Sequence, residues 1–288
     1  MLILTFTISI NLNLNININI YIYIPRIMYQ TNFESVVKFN KAFGLPHNDE
    51  EQMDILTKNK PLSKLRVDLC TEEMHELNVA FKNKDFIEVI DALTDEIYVL
   101  YGAASSFGFN MDSELREYVN NSLYIDPLQT NYNFIRNMVI NQKIPIPDTI
   151  CNNMFNEYFP PGPRKTYDQM NSVIKELDEH LEARNYYDMK KSLVHMLLLT
   201  YKMGILLGID LDKSFDIVHR SNMSKLCCNE QEAIETVEWY KTNDTRYDSP
   251  TIRKADSGDY WVVYNESTGK ILKNYNYIPA GFECMTVA

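Results

Sequence analysis

From residue 31 to about residue 258, apolar positions recur at three- and four-residue spacings and strand signals are few, so the chain predicts a run of helices. Asp85 followed three residues later by Glu88 resembles a capping box, which places a helix start near residue 86. The stretch that follows, "FIEVIDALTDEIYVLYGAA", is apolar nearly all round, and a helix of that kind is buried. After residue 242 the pattern changes. "DYWVVYN" and "KILKNYNYI" flank "ESTG" and predict a β-hairpin, too small to fold alone, lying on the helices.

The helical stretch reads as two copies. Shifted by about 100 residues, "FGFNMD" (107–112) falls on "LGIDLD" (207–212), Glu76-Leu77 on Glu176-Leu177, and Asp68, Leu93 and Tyr101 on Asp168, Leu193 and Tyr201. Phe33 and Pro46 match Phe134 and Pro147 one residue further on. The hydrophobic pattern between these anchors holds without a gap, so 31–124 and 131–226 form an internal duplication. Each copy predicts a helical hairpin with a preceding helix, and two hairpins pack as a four-helix bundle. The fold class is therefore all-α, a pseudo-dimeric bundle with a small C-terminal β-hairpin. The expected divisions are 1–27, 28–126, 127–241 and 242–288.

The opening 27 residues alternate apolar residues with Asn or Tyr, which taken literally is an amphipathic strand. Yet Ile-Tyr-Ile-Tyr is what an AT dinucleotide repeat encodes, and Asn-Ile-Asn-Ile differs from it by little. The expectation is a disordered or mis-started extension, with translation from Met28 and β-propensity if the segment is made. It lacks the basic start, continuous apolar run and cleavage site of a secretory signal and is too polar to span a membrane.

With 288 residues, 45% of them apolar, the chain can bury a normal core. Five cysteines without a C-x-x-C spacing (Cys70, Cys151, Cys227, Cys228 and Cys284) predict reduced thiols in an intracellular, cytoplasmic protein rather than a disulfide scaffold or structural zinc. A net charge of −11 disfavours broad nucleic-acid binding. It leaves room for an anionic substrate that arrives with a divalent cation.

The acids are concentrated in the first copy. "TEEMHEL" supplies Glu72, Glu73 and Glu76, and the next helix supplies Glu88, Asp91 and Asp95 as a single stripe at i, i+3 and i+7. Two like charges about 4 Å apart repel by roughly 4 kcal/mol at an effective dielectric near 20. Several of them half-buried require cations or raised pKa values. Oxygen-only donors on two facing helices suit Mg²⁺ or Mn²⁺. Taken singly, Glu72 and Glu73 could merely complement a helix dipole and Glu88 could merely cap. Asp91 and Asp95 have no such account, because they lie inside an apolar helix. A di-iron carboxylate bundle would need Glu-x-x-His on two helices, a pair this chain lacks.

Glu-Glu-x-x-Glu followed by Glu-x-x-Asp resembles the signature of the all-α nucleoside triphosphate pyrophosphohydrolases, the MazG and phosphoribosyl-ATP pyrophosphohydrolase-like superfamily. The likeness is greatest to phage, large-virus and some bacterial members. It is carried further by "VVKFNKAFGLP" (36–46), "DALTDEIYVLYGAASSFG" (91–108), "FDIVHRSNMSKL" (215–226) and "GKILKNYNYIPA" (269–280). The resemblance implies Mg²⁺-dependent cleavage between the α and β phosphorus atoms, yielding a monophosphate and pyrophosphate. It also implies Glu72, Glu73, Glu76, Glu88 and Asp91 as metal ligands, with Glu73 and Glu76 catalytic in positioning the attacking water and Asp95 a further candidate. Asn222 and Lys225 would contact phosphate, with Arg220 beside them and His219 a weaker candidate. The alternative is a catalytically inactive protein that binds a nucleotide or a partner.

The copies have diverged in opposite ways. The second carries Ser172, Val173, Glu176, Asp188, Lys191 and His195 at the acid positions. The first carries Val119, Asn120, Asn121, Ser122 and Ile125 where the second has His219, Arg220, Ser221, Asn222 and Lys225. An active site would then be composite, one per chain. Lys191 and His195 read as an ion pair within the bundle or as remnants able to hold phosphate. Recurring Asp68 and Asp168 suggest caps, and Trp239, Trp261 and Tyr275–Tyr277 suggest packing of the hairpin rather than base stacking. The expected partners are a nucleotide and further copies of the chain in a homo-oligomer, with no membrane.

Overall fold

The computed structural model describes residues 3–11, 15–23, 30–119, 131–141, 161–256, 258–282 and 285. It divides into two units, Met1–Gln30 and Thr31–Ala288. In the first unit β1 (Ile3–Asn11) pairs antiparallel with β2 (Asn15–Tyr23), with Ile3 opposite Tyr23 and Asn11 opposite Asn15. The period-two alternation of apolar and polar residues suits such a pleated ribbon, in line with the β-propensity expected of this segment.

The second unit begins with α1 (Asn32–Phe43), opened by a full capping box in which Thr31 and Glu34 satisfy each other's backbone N–H. After a short α2 (Ile55–Lys58), α3 (Lys60–Asn83) and α4 (Phe86–Phe107) form the first long hairpin. Helix α5 (Met111–Val119) completes the first copy. The second repeats this with α6 (Asn131–Asn141), α7 (Pro161–Ala183), α8 (Tyr186–Leu206) and α9 (Leu211–Met223).

Matching turns occur at corresponding places in the two halves. Lys84 and Arg184 both take the left-handed conformation between the long helices, at φ 58° and 54°. Asp85 and Asn185 then cap α4 and α8 by accepting the N–H of Glu88 and Asp188. At the far end Gly108 and Gly208 turn with φ 80° and 74°. A side chain at Gly108 would collide with the Glu50 carbonyl, so both the backbone and the space require glycine.

Helix α3 packs on α4, α7 on α8, and the two hairpins meet through α4–α8 and α3–α7, giving the expected four-helix bundle. Leu93, Ile97, Leu193 and Leu197 are buried in its continuous core. The last helix of each copy leaves its own hairpin for the other: α5 packs on α8, and α9 packs on α4. Thr94 donates to Ser214 at 2.8 Å in the buried α4–α9 contact, and Lys190 bridges Glu51 and Glu114, each at 2.9 Å, beside α5–α8.

The recurring Tyr101 and Tyr201 are explained by matching elbows. Tyr101 donates to Asp112 at 2.8 Å and Tyr201 to Asp212 at 2.7 Å. Asp68 and Asp168 do not cap. Both are exposed within long helices, where Asp68 pairs with Lys64 one turn away, so solvent-facing charge is what recurs there.

Beyond the bundle, α10 (Glu230–Asn243) packs against β3 (Pro250–Lys254) and β4 (Trp261–Asn265), which pair antiparallel. The expected C-terminal hairpin exists, but its main partner strand is β3. "ESTG" does form a turn: Gly269 N–H bonds the Asn265 carbonyl at 2.8 Å and Leu272 N–H bonds Val263, yet only Tyr264 and Ile271 bridge. Cys227, Val237, Tyr240, Val263 and Leu272 form a small separate core. Trp261 packs against this core, and Trp239 is partly exposed. No single helix among the described residues is long and apolar enough to cross a membrane.

Candidate active site

Helices α3 and α4 carry the acids along one seam. Glu72, Glu76 and Glu88 are exposed, whereas Glu73, Asp91 and Asp95 are partly buried. Burial, then the charges of Asp95, Glu76, Glu72 and Asp91, pushes the Glu73 carboxyl up to about 8. Burial and Asp91 raise Asp95 to about 7, partly opposed by Lys225. Burial followed by Glu88 and Glu76 also raises Asp91. These six side chains therefore share one electrostatic environment, as their spacing predicts.

A seventh acid was not singled out in the sequence. Glu96 is 2% exposed, neither of its carboxylate oxygens has a hydrogen-bond partner, and Glu73 Oε2 is likewise buried and unpartnered. Burial and the Glu73 charge hold Glu96 well above the usual carboxylate range. Its signal was in the duplication: positions 73 and 96 are Glu in the first copy and Val173 and Met196 in the second.

The cationic side comes from the second copy. The end of α9, resting on α4, brings Lys225 into the field of Asp95. Lys225 donates to Asn222 Oδ1 at 2.7 Å, and burial and the nearby Lys273 lower its pKa, opposed by Asp95. Asn222 also lies beside the Tyr98 hydroxyl, which is 3.2 Å from His219 Nδ1. His219 stacks on Phe215 with ring centroids 5.9 Å apart, and burial followed by the charge of Lys38 lowers its pKa to about 4. At neutral pH it is therefore a neutral wall of the site and adds no positive charge to grip phosphate. Arg220 is exposed, and its Nε donates to the Asp216 carbonyl of its own helix.

Lys273 belongs to "GKILKNYNYIPA" but had no assigned role. It lies 4.3 Å from the centroid of the Tyr277 ring, and the Tyr277 hydroxyl is 2.8 Å from Ser221 Oγ. The C-terminal segment thus adds a second amine beside Lys225.

Among the described residues, no three His, Cys, Asp or Glu side chains converge closely enough to hold a metal ion in this conformation. The donor chemistry nevertheless fits a hard dication: every donor is a carboxylate oxygen, and three buried oxygens, on Glu73 and Glu96, lack partners.

Residues 36–121 match the phosphoribosyl-ATP pyrophosphohydrolase family. The chain is 37% identical over 251 residues to an uncharacterized protein of Acanthamoeba polyphaga mimivirus, covering 85% of this chain and 91% of that relative. Residues 36–121 thus form a domain of the phosphoribosyl-ATP pyrophosphohydrolase family. That family is one of nucleotide pyrophosphohydrolases, and the matched segment holds the acid seam of the first copy. No solved structure matches the chain.

Proposed function

We propose that the chain is a Mg²⁺-dependent hydrolase of nucleoside triphosphates, or of a phosphoribosyl-ATP-like substrate, that cleaves the α–β phosphoanhydride in one composite site. The observation that carries this reading is the placement of Lys225, from the second copy, in the field of Asp95 from the first.

Glu72, Glu73, Glu76, Glu88 and Asp91 would hold the cation, with Asp95 beside them. Mn²⁺ would suit the same donors. The ion would neutralise substrate oxygens and the clustered carboxylates together. Glu73 and Glu76 orient a water toward the α phosphorus. The new bond forms from that water oxygen to phosphorus, the bridging oxygen departs with pyrophosphate, and the water proton passes to a carboxylate. Lys225, Asn222 and Lys273 face the departing group, where negative charge accumulates.

The test is pyrophosphate release by the purified full chain from NTPs, dNTPs and phosphoribosyl-ATP with Mg²⁺. Release that disappears in both Glu73→Gln and Lys225→Ala supports the composite site. Nucleotide binding without release across the panel would make the chain an inactive binding protein, and an active Lys225→Ala variant would remove the second copy's contribution.

A further inference from the structure

The second copy retains a pocket of about 330 Å³ at the place corresponding to the acid seam. Its lining includes Tyr118, Glu176, His180, Asp188, Lys191 and His195. Four of these positions, 176, 188, 191 and 195, correspond to Glu76, Glu88, Asp91 and Asp95. The cavity is therefore lined by the counterparts of the acid seam with their chemistry changed. An amine replaces the carboxylate of Asp91, and an imidazole replaces that of Asp95. The partly buried Glu73 and buried Glu96 have become the buried Val173 and Met196, so neither of those two acids lies beside this pocket to repel an anion.

We propose that this pocket binds a nucleoside phosphate without a divalent cation. Lys191 meets the phosphate directly, doing with a fixed ammonium what the first site does with a bound ion. Its present partner is Asp188 at 3.6 Å, with side chains 67% and 46% exposed, and such a same-helix surface pair is weak. The amine can therefore turn to a phosphate carrying about −1.5 to −2 charges.

The two acids of the pocket have local partners. Glu176 accepts from Ser192 Oγ at 3.3 Å, and Asp188 accepts from Asn185 Nδ2 at 2.6 Å. Tyr118, contributed by α5 of the first copy, stacks on His195 at 5.8 Å with 29° between the rings. Tyr118 remains 46% exposed, which leaves an aromatic surface for a base. This pocket is thus composite in the opposite sense to the first: α7 and α8 form its floor and α5 its side.

The experiment is calorimetric titration of the full chain with ATP, and separately with pyrophosphate, in EDTA. The expected result is saturable ATP binding that weakens at least tenfold in Lys191→Glu and in Tyr118→Ala but persists in Lys225→Ala. Pyrophosphate binding should be lost in Lys191→Glu and retained in Tyr118→Ala, because only the base uses the ring. Lys191 and Tyr118 are exposed and Lys225 is partly buried, and unchanged thermal melts establish that all three variants fold. Absence of saturable ATP binding in EDTA overturns the proposal, as does binding removed by Lys225→Ala but indifferent to Lys191→Glu. Neither result depends on whether the first site turns over nucleotide, so the two readings stand or fall separately.

Discussion

Lys225 and Asp95 lie in different copies of the repeat, yet each falls within the other's electrostatic field. The α9 helix that leads to Lys225 packs on the first copy's α4, the helix that carries Asp95.

Lys225→Ala should reduce pyrophosphate release by about 10²–10³-fold, the usual loss when one preorganised donor to developing charge is removed. Lys273→Ala should cause a smaller loss, because that amine is exposed. Steady-state release assays, with melts to confirm folding, check both. Equal losses would place the two lysines on an equal footing at the leaving group.

The pH dependence of the metal-free chain follows from the raised carboxyls. Glu73 and Asp95 sit at about 8 and about 7 in the folded chain, above their ordinary 4.5 and 3.8. Folding therefore favours their protonated forms. The associated stability is fully present below about pH 4 and is lost as pH rises through about 7–8. In EDTA the melting temperature should fall across that window by several °C, since ~1 kcal/mol corresponds to about 2–4 °C in a chain of roughly this size. Added Mg²⁺ at the alkaline end should restore it by binding the folded state. Scanning calorimetry across pH, with and without Mg²⁺, measures both effects, and a flat profile in EDTA would contradict the burial of these acids.

Glu96→Met should stabilise the fold by about 1–3 kcal/mol, because it removes a buried carboxyl without a hydrogen-bond partner. The second copy already accommodates Met196 at the equivalent position. Urea unfolding gives the difference directly, and a loss of stability would mean that Glu96 is satisfied in solution.

The copies are also tied at their elbows. Asn32, at the start of α1, donates to Tyr201 at 3.0 Å and Asp212 at 2.8 Å in the second copy, while Asn131, at the start of α6, donates to Tyr101 at 2.8 Å and Asp112 at 2.7 Å in the first. Asn32→Ala and Asn131→Ala should each cost about 1–3 kcal/mol by removing shared donors from these tyrosine–aspartate pairs. Residues 31–288 should unfold in a single calorimetric transition, because each copy completes the other. Two separated transitions would show that the repeats are independent.

Much of the site was legible because helices display their period in sequence. Glu88, Asp91 and Asp95 fall on one stripe of an apolar helix whichever partner it meets. The recurrence of Tyr101 and Tyr201 at a fixed shift likewise identified the repeat before either hydroxyl had a partner. Asp68 and Asp168 misled, since exposed residues can recur without a shared structural task.

By itself the sequence determined the helical content and the differing residues at positions matched by a shift of 100, because these depend on local period and on comparing the chain with itself. Only the tertiary structure decided that His219 is a partly buried, neutral side chain, that Lys273 joins Lys225, that Glu96 lies unpartnered beside Glu73, and that α5 and α9 cross between hairpins. Those facts depend on desolvation and on contacts between distant segments, neither of which has a local period to read.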